Sequence, residues 1–347
     1  MNRKLLSRRK SPPPLVGGGW GEGEKADNRT AAPKFTPTPA LPHQGGEGWR
    51  SYFWLLLIIS LVSLSLICKD LDATVQIQDD RGQTISLAAP PQRIVSLYGG
   101  LTETLTALGA GDRIVARIQG DDTLKKIPTV GTHLQPNVEM ILALKPDLVV
   151  QGGVPKGMPA LKRLETEGLP VAMFAPRDFA GLFSMIQRLG ALTGRAEAAA
   201  ALNRRMEERL KDVARRVAGR KPPRVFFEVR YHNLLAAGRG SMVNDIITRA
   251  GGANIIENPQ KLAPFGLEAL IQAQPEVYVI QQGPMNRSPE DIYTRPYFQE
   301  LRAVKERRVL VVEESLFSRP GPRSADAVEQ LARFLHPDAW GKAGVRD

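Results

Sequence analysis

From Thr74 onward, short β-branched runs alternate with segments in which apolar residues recur at helical spacing. The first part, residues 74–87, predicts a hairpin that turns at an Asp-Arg-Gly sequence. Strand and helix patterns then alternate, which is typical of an α/β fold with parallel sheets. The predicted strands are residues 93–97, 114–116, 129–130, 148–150, 171–174, 225–229 and 309–312.

One passage occurs twice in the chain. Residues 138–150 read VEMILALKPDLVV, and residues 267–279 read LEALIQAQPEVYV. Each copy predicts a short helix followed by a strand, with Glu139 or Glu268 in the first helical turn. The helix dipole favours a carboxylate there, but two in register also suggest one acidic contact per lobe for a shared partner. The repeat predicts two related α/β lobes, each with its own sheet.

A long helical segment separates the two sets of strands. Residues 178–220 are rich in Ala, Leu, Glu and Arg, and a Lys-Pro-Pro sequence at 221–223 ends them. We therefore predict two Rossmann-like lobes with central sheets, joined by a single long α-helix. The N-terminal lobe is assigned to residues 71–177 and the C-terminal lobe to residues 221–340.

An uncharged run at residues 52–67 predicts a segment that reaches the membrane. Its length lies between the roughly 7–15 residues of a signal-peptide core and the ~20 residues of a spanning helix. Cys68 closes the run as a candidate lipidation site, although the small residue expected directly before such a cysteine is missing. We predict that residues 51–70 are a signal or anchor, tethering a periplasmic or extracytoplasmic protein to the cytoplasmic membrane.

Residues 1–50 differ from the rest of the chain. They hold two imperfect copies of a Pro/Gly/Trp phrase without apolar periodicity, which predicts a low-complexity leader. Our interpretation is a misassigned translation start or a translated DNA repeat, with the protein beginning near Arg50. Nine Lys/Arg and four Asp/Glu give this leader +5 of the total net charge of +11. No basic stripe with interleaved aromatics appears elsewhere, so nucleic-acid binding is not predicted.

Ligands of open α/β sheets bind at the carboxyl ends of the strands, which selects loop residues as candidates. His133 and His232 are candidate contacts to a metal, haem or ligand, with a solvated loop histidine as the alternative for each. Two arginines flank a stiff Pro-Gly-Pro sequence, which suits recognition of carboxylate or catecholate oxygens, or a local cap. The candidate ligand-binding residues are Tyr98, His133, Arg230, Tyr231, His232, Phe317, Arg319 and Arg323.

Signatures of catalysis are missing from the sequence. It contains no G-x-S-x-G, no P-loop and no H-E-x-x-H motif. Because Cys68 is the single cysteine, there is no internal disulfide and no Cys-based metal site. We expect neither enzymatic activity nor a resident cofactor.

Several phrases taken together resemble the substrate-binding proteins of ABC importers for ferric siderophores, haem and vitamin B12. They are PQRIVSL, TETLTALGAGDRIV, VGTH, PNVEMILALKPDLV, GGANII, RPGPR and LARFLHP, spread over residues 75–338. The resemblance implies two lobes bridged by a helix, with the ligand between them. It implies that Glu139 and Glu268 bind arginines of the permease, while ATPase subunits supply the energy. Glu103 is expected to make a local contact at a helix N-terminus.

The resemblance leaves the transported ligand open. Cobalamin-binding relatives carry a tryptophan at about the position of His133, and haem-binding relatives often supply a tyrosine from the same loop. Few cleft aromatics and several arginines favour an anionic ferric chelate, with cobalamin and haem as the other candidates. We expect a monomer that works with permease and ATPase subunits. The alternative function is a membrane-tethered haem- or ligand-sensing domain that signals to a partner protein.

Overall fold

The computed structural model describes residues 74–153 and 157–341. The predicted leader, the predicted anchor at residues 51–70 and Cys68 lie outside the described residues. In chain order the strands and helices are β1 (Val75–Gln78), β2 (Thr84–Leu87), β3 (Ile94–Ser96), α1 (Gly99–Ala107), β4 (Ile114–Arg117), α2 (Val138–Ala143), β5 (Leu148–Gly152), α3 (Pro159–Thr166), β6 (Val171–Phe174), α4 (Phe179–Leu192), α5 (Ala196–Val217), β7 (Arg224–Arg230), β8 (Leu235–Ala237), α6 (Met242–Arg249), β9 (Ala253–Asn254), β10 (Leu262–Pro264), α7 (Leu267–Ala273), β11 (Val277–Gln282), α8 (Arg302–Lys305), β12 (Val309–Glu313), α9 (Glu314–Phe317) and α10 (Ser324–Leu335).

The first lobe is built on a four-stranded sheet of order β4-β3-β5-β6, in which every pair is parallel. All five residues of β5 are buried, because helices cover both faces of the sheet. Val150 packs with α1 and α4 on one face, and Val149 packs with α2 and α3 on the other. The predicted strand at residues 129–130 is wrong, since the structure shows only an isolated bridge between Thr129 and Arg117 there.

The second lobe contains a mixed sheet of order β10-β8-β7-β11-β12, with β9 also paired to β7. Its core strands β7, β11 and β12 are parallel, while β8 and β10 are antiparallel additions that the sequence analysis did not predict. Both are three-residue strands without alternating apolar positions, so they carry little periodic signal.

The connection between the lobes consists of two helices. The predicted helix over 178–220 is interrupted after α4, where Gly194 has a φ of 67° and the chain restarts as α5. Asp178 caps α4 by accepting a hydrogen bond from the Gly181 amide at 2.7 Å. The 22-residue α5 then packs against α4 and α10 and leads into β7. Two lobes with a long connecting helix are therefore confirmed, with a second helix ahead of the long one.

A buried ion pair organises the interior of the second lobe. Arg295 donates two hydrogen bonds to the Glu228 carboxylate, at 2.5 and 3.2 Å, and both side chains are 0% exposed. The Tyr278 hydroxyl donates to the same carboxylate at 2.6 Å, and Arg295 also donates to the Glu290 carbonyl. Burial and the Glu228 charge raise the pKa of Tyr278 well above its ordinary value. The fully bonded geometry offsets the cost of burying two charges.

Replacing Arg295 by Met should destabilise the protein strongly, because it leaves the Glu228 carboxylate buried without its cation. We expect the free energy of unfolding to fall by about 3–5 kcal/mol in chemical denaturation. The control is Arg302→Met, which removes half-exposed ion pairs to Glu276 and Glu306 and should cost less than about 1 kcal/mol. Equal losses in the two variants would contradict a special role for the buried pair.

Candidate ligand-binding site

A cleft of about 860 Å³ lies between the lobes. Loops that follow β3, β4 and β6 form its first wall, and segments around β8, β10, β11 and α9 form the second. The loops of the first wall, and the loop that follows β11 in the second, lie at the carboxyl ends of parallel strands, where ligands of open α/β sheets bind. Apolar side chains cover much of the surface, among them Phe174, Val229, Met242 and Leu262. The volume lies within the range of roughly 300–1,000 Å³ that is typical of small-molecule sites.

The charged residues of the cleft are mostly cations. Arg177, Lys261, Arg287 and Arg319 line it, and Glu314 is the one carboxylate among its lining residues. Burial lowers the pKa of Lys261 and repulsion from Arg177 lowers it further, while Glu314 opposes both effects. This surplus of positive charge suits a ligand with acidic groups. Sequence reasoning missed Lys261, because a lysine in a polar loop carries no recognisable signature.

His133 and Tyr98 lie together on the wall of the first lobe. Their ring centroids are 5.1 Å apart. Nδ1 of His133 lies 3.1 Å from the Leu97 carbonyl, which can only accept, so Nδ1 carries the proton and Nε2 keeps a lone pair. Burial lowers the pKa of His133; the Leu97 hydrogen bond opposes this, and Lys261 and Arg319 lower it further. A neutral imidazole is therefore favoured at neutral pH.

Buried residues hold this pair in place. Gln151 is fully buried and donates from Nε2 to the His133 carbonyl at 3.1 Å. A Cβ on Gly152 would lie 2.4 Å from the Tyr98 ring, so only glycine leaves room for it. Burial also raises the pKa of the Tyr98 phenol, which stays protonated.

The two predicted arginines of the second lobe have different environments. Arg319 lines the cleft and donates from Nη1 to the Gly120 carbonyl of the first lobe at 3.1 Å. Arg323 does not line the cleft, because its guanidinium is bonded to the Glu103 carboxylate. Glu103 thus contacts the opposite lobe, and the expectation of a local helix contact was wrong.

Four further predicted ligand contacts lie outside the cleft. Phe317 is fully buried and packs on Phe227, so it belongs to the core. Tyr231 covers the Arg295 guanidinium at 4.0 Å. The remaining two do not reach the cleft wall either: Arg230 donates to Asn233 at 2.8 Å, and His232, with a side chain 82% exposed, lies 3.6 Å from Glu290. The structure therefore does not bring Arg230, Tyr231, His232 and Phe317 to the cleft wall, where ligand contact was predicted for them.

Glu139 and Glu268 occupy equivalent positions in the two lobes. Each lies in the first turn of its helix, α2 or α7, and each is exposed. Both helices run back toward a parallel strand, β5 or β11, so their first turns lie at the carboxyl edge of the sheet, the edge that also forms the cleft. Glu139 pairs with Arg163 at 2.8 Å, but both side chains are more than half exposed and the pair is weak.

The family described as periplasmic binding protein matches residues 94–316. The chain belongs to this family. The prediction of a periplasmic-type binding protein is confirmed, and the family is one of binding proteins.

Individual relatives agree with this assignment. The ABC transporter substrate-binding lipoprotein YvrC of Bacillus subtilis is 29% identical over 277 residues, covering 77% of this chain and 87% of the relative. The vitamin B12-binding protein BtuF of Vibrio cholerae superposes with a TM-score of 0.63 at 26% identity, covering 73% of this chain and 99% of BtuF. The haem-binding protein RhuT of Roseiflexus sp. RS-1 gives a TM-score of 0.63 at 25% identity, covering 72% and 99%.

Within residues 74–153 and 157–341, no group of three or more His, Cys, Asp or Glu side chains is placed to hold a metal ion. In the same residues, no helix has both the length and the apolar character needed to cross a membrane.

The environment of His133 predicts an abnormally low pKa. An NMR titration of its ring should give a midpoint below the ordinary 6.5, and Lys261→Gln should raise that midpoint by removing a repelling charge. Since the unfolded chain then binds the proton more readily, His133 should make the protein lose stability as pH falls through 6.5. Lys125→Gln, at an exposed lysine, should leave the midpoint unchanged. A midpoint at or above 6.5 would contradict the burial argument.

Proposed function

We propose that this chain is the substrate-binding component of an ABC importer and captures a metal chelate bearing acidic groups between its lobes. The lining of the cleft is the main support for the proposal, because it combines four cationic side chains and one carboxylate with a largely apolar wall. Such a surface suits a bulky amphipathic molecule with negative groups at its edge. The relatives named for vitamin B12 and haem support a large metal chelate.

His133 gives the first lobe a group that can approach the chelated metal. It lines the cleft, and its hydrogen bond to Leu97 leaves Nε2 as the unprotonated ring nitrogen. Neutral imidazole nitrogen is a common metal ligand. Haem, cobalamin and ferric siderophores are therefore the chelates to test. We propose binding and release without covalent chemistry.

Delivery to the membrane is the second part of the proposal. Glu139 and Glu268 would each bind an arginine of the permease, one from each lobe, and the weak Arg163 pair can be exchanged for that contact. Matched acidic groups on two lobes suit a partner with two-fold symmetry, which favours the importer over the sensing alternative.

The N-terminal segment supports a proposed location for the chain. We propose an extracytoplasmic monomer tethered through the apolar run at residues 52–67, before which the low-complexity leader lies. The relative YvrC is named a lipoprotein, which supports a membrane attachment of this kind.

The cleft cations provide the test of ligand binding. We would titrate the full-length chain with haem, cyanocobalamin and several ferric siderophores by calorimetry and absorbance. One chelate should bind tightly, and Lys261→Gln or Arg287→Gln should weaken it by about tenfold to a hundredfold, since each removes a charged hydrogen bond of about 1.5–3 kcal/mol.

The matched control for this titration is Arg204→Gln, at an exposed arginine of α5 that does not line the cleft. It should leave affinity within about twofold of the wild type, well under the loss of one charged hydrogen bond. If both cleft variants bind the chelate as tightly as the wild type, the result would contradict an anionic ligand in this cleft. Binding of no chelate in the panel would contradict the proposed cargo class.

The docking role predicts a loss of transport without a loss of ligand affinity. Glu139→Lys combined with Glu268→Lys should reduce uptake of the bound chelate to background in cells that carry the permease and ATPase. The control, Glu167→Lys with Glu306→Lys, changes the net charge equally but lies at the C-terminal ends of α3 and α8. Normal uptake by the docking variant would refute the role of the glutamates.

A further inference from the structure

A second, smaller pocket adjoins the ligand cleft at the boundary between the lobes. Its volume is about 380 Å³, and both lobes contribute to its wall. Gly99, Gly120 and Arg319 line both spaces, so the hydrogen bond from Arg319 to the Gly120 carbonyl lies where they adjoin. We call this space the seam pocket.

The seam pocket has the opposite charge balance to the cleft. Four carboxylates and two guanidinium groups line it, a formal balance of −2, whereas the cleft has four cations and one carboxylate, a balance of +3. Arg323 and Glu103 are bonded to each other, Arg319 donates to the Gly120 carbonyl, and Glu313 accepts a hydrogen bond from the Ser315 hydroxyl at 3.3 Å. The carboxylates are those of Glu103, Asp121, Asp122 and Glu313.

Asp121 is the unusual member of this set. It is 1% exposed, and its Oδ1 accepts a hydrogen bond from the Thr123 amide at 3.0 Å. Its Oδ2 is buried and has no hydrogen-bond partner among the described residues. A buried carboxylate oxygen without a donor is costly, and native proteins rarely leave one unpaired. The wall of the seam pocket therefore contains an acceptor that lacks its donor.

The neighbourhood of Glu103 points the same way. Burial raises the pKa of Glu103; Arg323 opposes this, and repulsion from Asp121 adds to the rise. A positive group bound between the carboxylates would relieve that repulsion. A metal ion is a poor candidate, because no three acidic or histidine side chains of the described chain converge as a metal site. An ammonium group needs fewer acceptors, and it donates three hydrogen bonds.

We propose that the seam pocket binds a primary alkylammonium group, with Asp121 of the first lobe and Glu313 of the second as acceptors. The inference rests on the proposed function, since a pocket that adjoins the cleft can hold an ammonium-bearing arm of the transported chelate. In the bound chelate, the acidic groups would then face Lys261 and Arg287, and the basic arm would extend beside Arg319 into the seam pocket.

The test uses n-pentylammonium chloride as the probe and 1-pentanol as its uncharged counterpart. Titrations of the ¹⁵N-labelled full-length chain are followed through the amide signals of residues 120–123 and 313–315. Pentylammonium should shift these signals and pentanol should not. Asp121→Asn keeps an acceptor for the Thr123 amide but removes the charge, so the Kd for pentylammonium should rise at least about tenfold.

Two further variants complete the design. Asp112→Asn removes one exposed carboxylate outside the pocket and should leave the Kd unchanged. Glu313→Gln removes the acceptor from the second lobe, and it carries the comparison if a thermal melt shows that Asp121→Asn does not fold. An unchanged Kd in both pocket variants, or equal shifts with pentanol, would overturn the proposal. Because the probe contains no chelate, this result is independent of the chelate titrations that test the proposed function.

Discussion

The two lobes make a direct contact beside the cleft at the ion pair between Glu103 and Arg323, and this contact constrains where the cleft can open. It joins α1 of the first lobe to the loop before α10 of the second, and the Arg319 hydrogen bond to Gly120 lies close to it. The glycine at position 100 makes this approach possible, since a Cβ there would lie 2.2 Å from the Pro320 carbonyl. The two lobes are thus held at one edge, and the ligand cleft opens beside that edge.

The repeated helix-strand unit explains why Glu139, Glu268 and the cleft lie at the same edge of the two sheets. In each lobe a strand ends at the cleft, and the helix that precedes it begins at the same edge with a glutamate. Because each helix runs antiparallel to the parallel strand that follows it, its first turn lies at the carboxyl edge of the sheet. A ligand between the lobes and a partner bound to both glutamates would therefore contact the same helix-strand unit of each lobe. A change in the distance between the lobes would then alter both the cleft and the spacing of the two glutamates.

Much of the fold was predictable because it has a strong period. Strands of the parallel core are buried on both faces, so they appear in the sequence as continuous β-branched runs between amphipathic helices. This pattern alone located β5, β6, β7 and β12 closely. The short strands β8 and β10 were missed because pairing to a neighbouring strand, rather than their own pattern, makes them strands. The helix break at Gly194 is marked in the sequence by a Thr-Gly pair. This one signal was outweighed by the helix-favouring composition of the residues on both sides.

The site was harder to predict than the fold. Tyr98, His133 and Arg319 were found because strand ends select them. The same rule also selected Tyr231 and Phe317, which pack against Arg295 and Phe227 instead of lining the cleft, since aromatic residues after a strand can also turn into the core. Lys261 was missed because tertiary contacts alone bring its loop to the cleft. The docking role of Glu139 and Glu268 stays a prediction.

A crystal structure of the full-length chain with its bound chelate, solved with anomalous scattering from the chelated metal, tests the central claim most directly. The account predicts one metal peak between the lobes, on the His133 side of the cleft, with the acidic groups of the chelate facing Lys261 and Arg287. A metal peak on the outer surface of either lobe, with the cleft unaltered, would contradict it.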